Sequence, residues 1–283
     1  MKLSVVHSTR YDYAAPVRAS FNEARLKPLS QDGQECLEFE LRVDPATTTR
    51  TYYDFNGNIV HFFEIPEPHR WLSIESHSVV TTVSRVLEES RAVMPLNQLH
   101  GLAMVERCFD FLQTSTLLPL ETDVWRLAMD ATDGCTDIWE AAQAIMRFVH
   151  LNFTYSPTAT DVNTPVSEVI RMRQGVCQDF AHVMIGMCRT LKIPARYISG
   201  YIYNGPHEHL NGAQASHAWC EVYLPGIGWQ GLDPTNNRQV DEHHIKIAIG
   251  RDYADIIPVK GHYRGTPQKQ MTVDVKVSLA ESV

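Results

Sequence analysis

Three residues have types and surroundings suited to thiol chemistry: Cys177, His217 and Asp233. Cys177 follows Gln174-Gly175-Val176 and opens the run CQDFAHVMIGMCRTLKI, in which Phe180, Met184, Met187, Cys188 and Leu191 form one apolar stripe at helical spacing. The thiol is therefore predicted on the first turn of a helix, where free N–H groups and partial positive charge favour thiolate. Gly175 is expected to allow a sharp turn and to leave room for a substrate carbonyl. The Cys177 backbone N–H would be one oxyanion donor, whatever the side chain. Taken alone, Cys177 reads equally well as a packed core cysteine.

In Ser216–Leu224 a strand alternation puts His217, Trp219, Glu221 and Tyr223 on one face. Ala218, Cys220, Val222 and Leu224 take the other. Pro225-Gly226-Ile227-Gly228 reads as a turn, after which Trp229, Gly231 and Asp233 share a face. A hairpin of matching parity brings Asp233 within a step or two of His217. A carboxylate there would hold one imidazole N–H while the other ring nitrogen faces the thiol. A single strand histidine is usually structural, and Asp-Pro often marks only a turn. The combination of all three is what acyl transfer through a thiolate–imidazolium pair requires. Cys188 and Cys220 fall inside apolar patterns and are assigned to the core, while Cys36, Cys108 and Cys135 have no base or acid arranged beside them.

The elements that must hold these groups are predicted as follows. Residues 1–92 read as a small antiparallel β domain, with β-branched and aromatic runs separated by Pro45, Pro66 and Pro68 and a hairpin turn at Asn56-Gly57. From about residue 95 the apolar spacing becomes helical, in PLNQLHGLAMVERCFDFLQ, ETDVWRLAMDAT, CTDIWEAAQAIMRFVHLNF and VSEVIRMR. After residue 195 strands return. Helices followed by a run of antiparallel strands make an α+β fold. A catalytic domain is expected over 93–283, with its core at about 150–235 and a C-terminal β extension.

Composition narrows the function. The chain has 283 residues, 44% hydrophobic and 20% charged, with a net charge of −8, which argues against nucleic acid or an anionic membrane as partner. Six cysteines without a C-x-x-C pair argue against a disulfide framework and for reduced thiols in the cytoplasm. MKLSVVHSTRYDY lacks a leader-like apolar run, and nowhere do eighteen apolar residues run together.

Gly175-Val176-Cys177-Gln178-Asp179-Phe180-Ala181-His182, Ile193-Pro194-Ala195-Arg196-Tyr197, His217-Ala218-Trp219-Cys220-Glu221-Val222 and Gly228-Trp229 through Asp233-Pro234-Thr235 stand in that order. Together they resemble the bacterial transglutaminase-like family of cysteine enzymes. Residues 1–90 resemble the β-rich domain that commonly precedes this core, and Gly250 to Pro258 resembles a stretch that often follows it. The resemblance implies a papain-like fold, a triad of Cys177, His217 and Asp233, a protein or peptide substrate, and no cofactor. Tyr155 is the first choice for a second oxyanion donor and Gln178 the next, although a structural role suits either. Trp219 and Trp229 are expected to line the cleft or to pack beneath it.

Members of the family include transglutaminases, peptidases, amidases and non-catalytic versions. Hydrolysis is favoured here, because no signature of a second, amine-accepting channel is present; protein-glutamine cross-linking is the alternative. A protein-binding scaffold of the same fold competes with both. A metal hydrolase built on His207-Glu208-His209 or His243-His244 competes less well, since no H-E-x-x-H helix is present and NGPHEHLNG reads as a solvated loop at the mouth of the site. No metal is assigned.

Overall fold

The computed structural model describes residues 1–119, 121–205, 210–212 and 216–280; for residue 100 and residues 102–104 it describes the backbone alone. Five strands come first: β1 (Lys2–Ala24), β2 (Gln34–Asp44), β3 (Thr49–Tyr53), β4 (Ile59–Ile65) and β5 (His69–Thr82). The helical region holds α1 (Glu106–Phe109), α2 (Thr122–Ala131), α3 (Ile138–Asn152), strand β6 (Thr154–Tyr155), α4 (Val166–Met172), strand β7 (Gln174–Gly175) and α5 (Cys177–Thr190). The remaining strands are β8 (Ala195–Ile202), β9 (His217–Leu224), β10 (Gly228–Asp233), β11 (Arg238–Gln239), β12 (His244–Gly250), β13 (Val259–Arg264) and β14 (Lys269–Leu279). The mixture of a helical layer with two mainly antiparallel sheets is α+β.

The N-terminal sheet is organised by β1, whose Leu3, Val5, His7, Thr9, Tyr11 and Tyr13 alternate inward. Its first half pairs with β5 and its last residues with β4; a register shift between Asp12 and Val17 lets one strand serve both partners. The expected Asn56-Gly57 turn joins β3 to β4. There Asp54 Oδ1 accepts from the backbone N–H groups of Asn56 and Asn58 at 3.0 and 2.9 Å, and Gly57 takes φ of 80°.

Two expectations need correction. The C-terminal strands do not extend the catalytic unit: β14 runs antiparallel to β1 from Leu3 opposite Leu279 to Tyr13 opposite Lys269, and β13 pairs with the end of β1. Pairing along β1 satisfies backbone groups that would otherwise line a long exposed edge. Nor is residues 95–113 a single helix. Leu96–Met104 and Asp110–Leu112 are 3₁₀ turns around the four-residue α1. Pro95 and Gly101 weaken helix propagation, and the segment is tied outward, with Leu96 N donating to Thr136 O at 3.0 Å and Ile138 N to Met94 O at 2.9 Å.

The second sheet has the order β11-β10-β9-β8-β12. Ala218, Cys220, Val222 and Leu224 of β9 join the main core with α5 and α3, while Ile198, Trp219 and Ile249 belong to a separate cluster. Every residue of β8 and of β12 is buried, as expected for strands covered on both faces. On the Trp219 face a buried charge cluster fastens this sheet to the N-terminal region. Glu221 sits 2.6 Å from both Arg196 Nη2 and Lys246 Nζ, and Lys246 also reaches Asp32 at 3.1 Å.

At the far end of α5 the fully buried Arg189 donates to the carbonyls of Ala195, Gln113 and Arg251, fixing the helix to three separate segments. The Cys177 end of α5 is thus carried on a rigid rod. No helix among the described residues is long and apolar enough to cross a membrane, and all six cysteines are free thiols.

Candidate active site

Cys177 is the first residue of α5 and is 8% exposed. The helix start is held by Asp179, whose Oδ2 accepts from Val176 N at 2.8 Å and from Thr160 Oγ1 at 2.6 Å. A Cβ added to Gly175 would lie 2.5 Å from that same oxygen. The glycine is therefore required by the carboxylate that caps the helix. His182, one turn further along, accepts from Tyr253 N at 3.2 Å and so ties α5 to the stretch after β12. The thiol points toward the backbone of β9, with Sγ 4.0 Å from Ser216 O.

The hairpin register sets the other two groups. Gly228 pairs with Leu224 and Leu232 with Cys220, which puts Asp233 across from Trp219, diagonal to His217 on the same face. His217 Nε2–H donates to Asp233 Oδ2 at 2.8 Å, and both side chains are wholly buried. Because the carboxylate can only accept, Nε2 carries the proton and Nδ1 is the nitrogen left for Cys177. Burial alone would lower the imidazole pKa. The charge and hydrogen bond of Asp233, assisted by the nearby Cys177 thiol, more than offset this and raise it to about 10. Asp233 is held far below the usual carboxylate range: burial opposes ionisation, and attraction to His217 with its hydrogen bond prevails.

The carboxylate is the hub of a wider set. Oδ1 accepts from Thr235 N at 2.9 Å and from Asn236 N at 3.3 Å; Oδ2 accepts from Asn236 Nδ2 at 2.7 Å and lies 3.5 Å from His244 Nε2. Neither Asn236 nor His244 was singled out as a partner of the acid. The DPTN run after Asp233 could have pointed to Asn236, since a residue three positions on turns back readily at a strand end. Nothing local marks His244, which arrives from β12.

Asn236 also reaches the segment above the site. Its Oδ1 accepts from Asn211 N at 3.0 Å, which places Gly212 directly over the imidazole. Gly212 has φ of 88°, and a Cβ there would lie 2.4 Å from His217 Nδ1. Gly212→Ala is accordingly expected to cost about 1–2 kcal/mol of stability from the left-handed backbone. It is also expected to slow alkylation of Cys177 by roughly tenfold or more, because the methyl group intrudes beside the nitrogen that serves the thiol. Thermal melts and labelling rates measured side by side check both.

The remaining candidates are distributed unevenly. Tyr155 lies in β6, opposite Gly175 of β7, with its ring edge-on to Phe180 at 6.3 Å between centroids. Burial, with the negative charge of a Cys177 thiolate second, pushes its phenol up to about 12, so it stays a donor at neutral pH. Gln178 is buried but gives its amide N–H to Val162 O at 3.1 Å, holding the 156–165 loop instead of reaching the thiol. Trp219 is fully buried and packs beneath the sheet, 6.1 Å from the His217 ring. Trp229 pairs with Tyr223 at the far end of β9, about 20 Å from His217 at ~3.3 Å per residue. There it stacks edge-on against Phe111 at 5.2 Å and under Arg196 at 4.2 Å. Of the two expected roles, Trp219 takes packing beneath the site and Trp229 lies away from it: strand parity puts both on the right face but says nothing of depth or distance.

His207, Glu208 and His209 lie outside the described residues. His243 and His244 both contact Asp241 Oδ1, at 3.2 and 3.0 Å. His217, Asp233 and His244 bring three atoms able to ligate a metal, two imidazole nitrogens and a carboxylate oxygen, within 4.8 Å of one another. Those atoms face one another as donors and acceptors, and the arrangement is a hydrogen-bonded chain.

Comparison with known proteins fits this geometry. Residues 126–234 match the model of the transglutaminase-like superfamily, and residues 3–81 match the bacterial transglutaminase-like N-terminal region. An uncharacterized protein of Mycobacterium leprae is 34% identical over 280 residues, covering 98% of each chain. A protein-glutamine gamma-glutamyltransferase of Pseudomonas aeruginosa is 34% identical over 139 residues, 44% of this chain and 20% of that one. Among solved structures, a Cytophaga hutchinsonii protein provisionally described as a cysteine protease superposes with a TM-score of 0.78 at 23% identity, covering 100% of this chain and 92% of that one. That likeness speaks to the fold.

Proposed function

The chain belongs to the transglutaminase-like superfamily, with the bacterial N-terminal region of that family ahead of its core, and from this premise we propose that it is a thiol-dependent acyl-transfer enzyme acting on amide or peptide bonds. Cys177 is the nucleophile, His217 its base and acid, and Asp233 the group that orients His217. One observation carries the reading: a buried imidazole whose Nε2 is committed to a carboxylate at 2.8 Å leaves Nδ1 to a thiol on a helix N-terminus. Such a pair holds thiolate and imidazolium together at neutral pH.

In the proposed reaction the Cys177 sulfur adds to the substrate carbonyl, and the Cys177 backbone N–H supports the developing oxyanion. Tyr155, neutral and half-buried beside the helix start, is the proposed second donor. The C–N bond breaks as His217 passes its proton to the departing amine, leaving a thioester on Cys177. Water, deprotonated by His217, then releases the acid and restores the thiol. Hydrolysis is the favoured outcome, on a protein or peptide substrate. A primary amine in place of water would make the reaction a transamidation, and the similarity to the Pseudomonas aeruginosa enzyme over 139 residues supports keeping that second reading.

The test is intact-mass spectrometry after brief treatment with limiting iodoacetamide between about pH 5 and 9, on wild type and on His217→Ala. Selective labelling of Cys177 well below ~8.5, the free-thiol value, and its loss in the variant, is the expected result. Slow labelling spread over the six cysteines would favour a non-catalytic scaffold. Peptide amides with and without an added primary amine then separate hydrolysis from transfer.

A further inference from the structure

We infer that His244 is a positioning residue for this site, acting on His217 through the carboxylate of Asp233 that the two imidazoles share. The inference rests on the function proposed above. His244 opens β12 and is fully buried in its side chain. Its Nε2 lies 3.5 Å from Asp233 Oδ2, the same oxygen that accepts from His217 at 2.8 Å, and the two rings are 6.3 Å apart between centroids. On its other side Nδ1 lies 3.0 Å from Asp241 Oδ1 and accepts from Asp241 N at 3.3 Å, which leaves the ring proton on Nε2, and Asp241 is itself paired with Arg238. Trp219 lies edge-on to the ring at 5.4 Å and closes the third side. The imidazole is therefore fixed in place by Asp241 and Trp219, with one nitrogen directed at the acid.

The physical consequence concerns how much negative charge Asp233 presents to His217. A carboxylate oxygen shared between two donors attracts each less strongly than one given wholly to a single donor. Without His244, Oδ2 would serve only His217 at 2.8 Å and Asn236 Nδ2 at 2.7 Å, and would hold the imidazolium more tightly, which makes giving its proton to a leaving amine less favourable. By drawing on Oδ2 from behind, His244 moderates that hold, and it stops the carboxylate from turning away from the base. The other charged groups near His244 are already partnered. Across the small cavity behind the sheet, lined by Trp219 and His244 among others, Lys246 is bound by Glu221 and Asp32 at 2.6 and 3.1 Å, and Arg85 by Asp32 at 3.3 Å. His243 turns to Asp241 at 3.2 Å. Of these groups, only His244 has a hydrogen-bonding atom directed at Asp233.

The experiment measures the pH dependence of Cys177 labelling by iodoacetamide and of peptide-amide turnover for wild type, His244→Leu, His244→Gln and Asp241→Asn, with a thermal melt of each. Removing the donor in His244→Leu is expected to strengthen the pull of Asp233 on His217. The upper, basic limb of the turnover profile should then move up by roughly half to one pH unit, with the plateau falling several-fold. His244→Gln, which keeps an N–H donor, should return the limb toward its wild-type position. A plateau that falls while the limb stays fixed would mean that His244 only packs, and would overturn the inference. If His244→Leu does not fold, Asp241→Asn decides: a limb displaced in the same direction supports the coupling, and an unmoved limb rejects it. Wild type that shows no His217-dependent labelling at all would defeat the proposed function itself, a result distinct from an unmoved limb in a variant.

Discussion

Cys177→Ala is expected to show no measurable turnover and no acyl-enzyme, a loss on the order of 10⁶ in kcat where the nucleophile of a comparable triad is removed. The effect should be this large because no other described residue offers a nucleophilic atom to His217. Cys188 and Cys220 are both buried in the core: Cys188 lies about three turns further along α5, and Cys220 is on the opposite face of β9 from His217. The fold should survive. Cys177 is a small residue at the first helical position, the cap is provided by Asp179 at 2.8 Å from Val176 N, and alanine favours helix. Intact-mass spectrometry after mixing with an activated ester, together with a melt, checks both halves. A covalent adduct on the alanine variant would sink the assignment of the nucleophile, whereas loss of the melt transition would show that the cysteine also serves the core.

Asp233→Asn is expected to lower kcat by about 10³–10⁴-fold, the scale seen when a triad carboxylate becomes an amide. The reason lies in the hydrogen bonds. Oδ1 already accepts from the backbone N–H groups of Thr235 and Asn236, at 2.9 and 3.3 Å. The asparagine oxygen must therefore stay there, and its NH₂ takes the place of Oδ2. That NH₂ then faces His217 Nε2 and Asn236 Nδ2, both of which are donors now. His217 can relieve the clash only by moving its proton to Nδ1, the nitrogen that must accept from Cys177. The base is then in the wrong tautomer, and its ion pair with the thiol is lost. Labelling of Cys177 at about pH 6 should fall in parallel with kcat. If labelling at that pH is unchanged while kcat falls, Asp233 acts on a later step than thiol activation.

Asn236 ties the segment over the site to the acid beneath it. Its amide bonds Asp233 Oδ2 at 2.7 Å, and its carbonyl holds Asn211 N at 3.0 Å. This bridge joins Asp233 to the segment that carries Gly212, whose backbone lies over His217 Nδ1.

Much of the site was legible without coordinates, for reasons tied to short-range periodicity. Strand alternation over Ser216–Leu224 and Trp229–Asp233 put His217 and Asp233 on one face, and the register that joins Gly228 to Leu224 keeps them there. The 3.6-residue stripe after Gly175 marked the helix that carries Cys177, and α5 begins at that residue. Period and parity depend on a residue and its near neighbours, so one sequence contains them. The same rules failed where the answer depended on depth or distance. Trp219 and Trp229 share the face of His217 by parity, yet one is buried under the sheet and the other lies at the far end of the hairpin. Gln178 has the right chemistry next to the nucleophile, but a carbonyl 16 positions earlier takes its amide.

Local pattern alone carried the order of the candidate groups: a thiol at a helix start, an imidazole on a strand, a carboxylate on its hairpin partner, and an α+β frame with a β region ahead of it. What surrounds them came from the packing of distant segments. His244 comes to Asp233 from β12, Gly212 comes to His217 from the preceding loop, and β14 closes back onto β1 across nearly the whole chain. Each of these contacts joins segments whose local patterns carry no trace of one another. They form because buried carboxylates, imidazoles and strand edges must find partners somewhere in the folded chain, and which partner they find is set by how the layers pack.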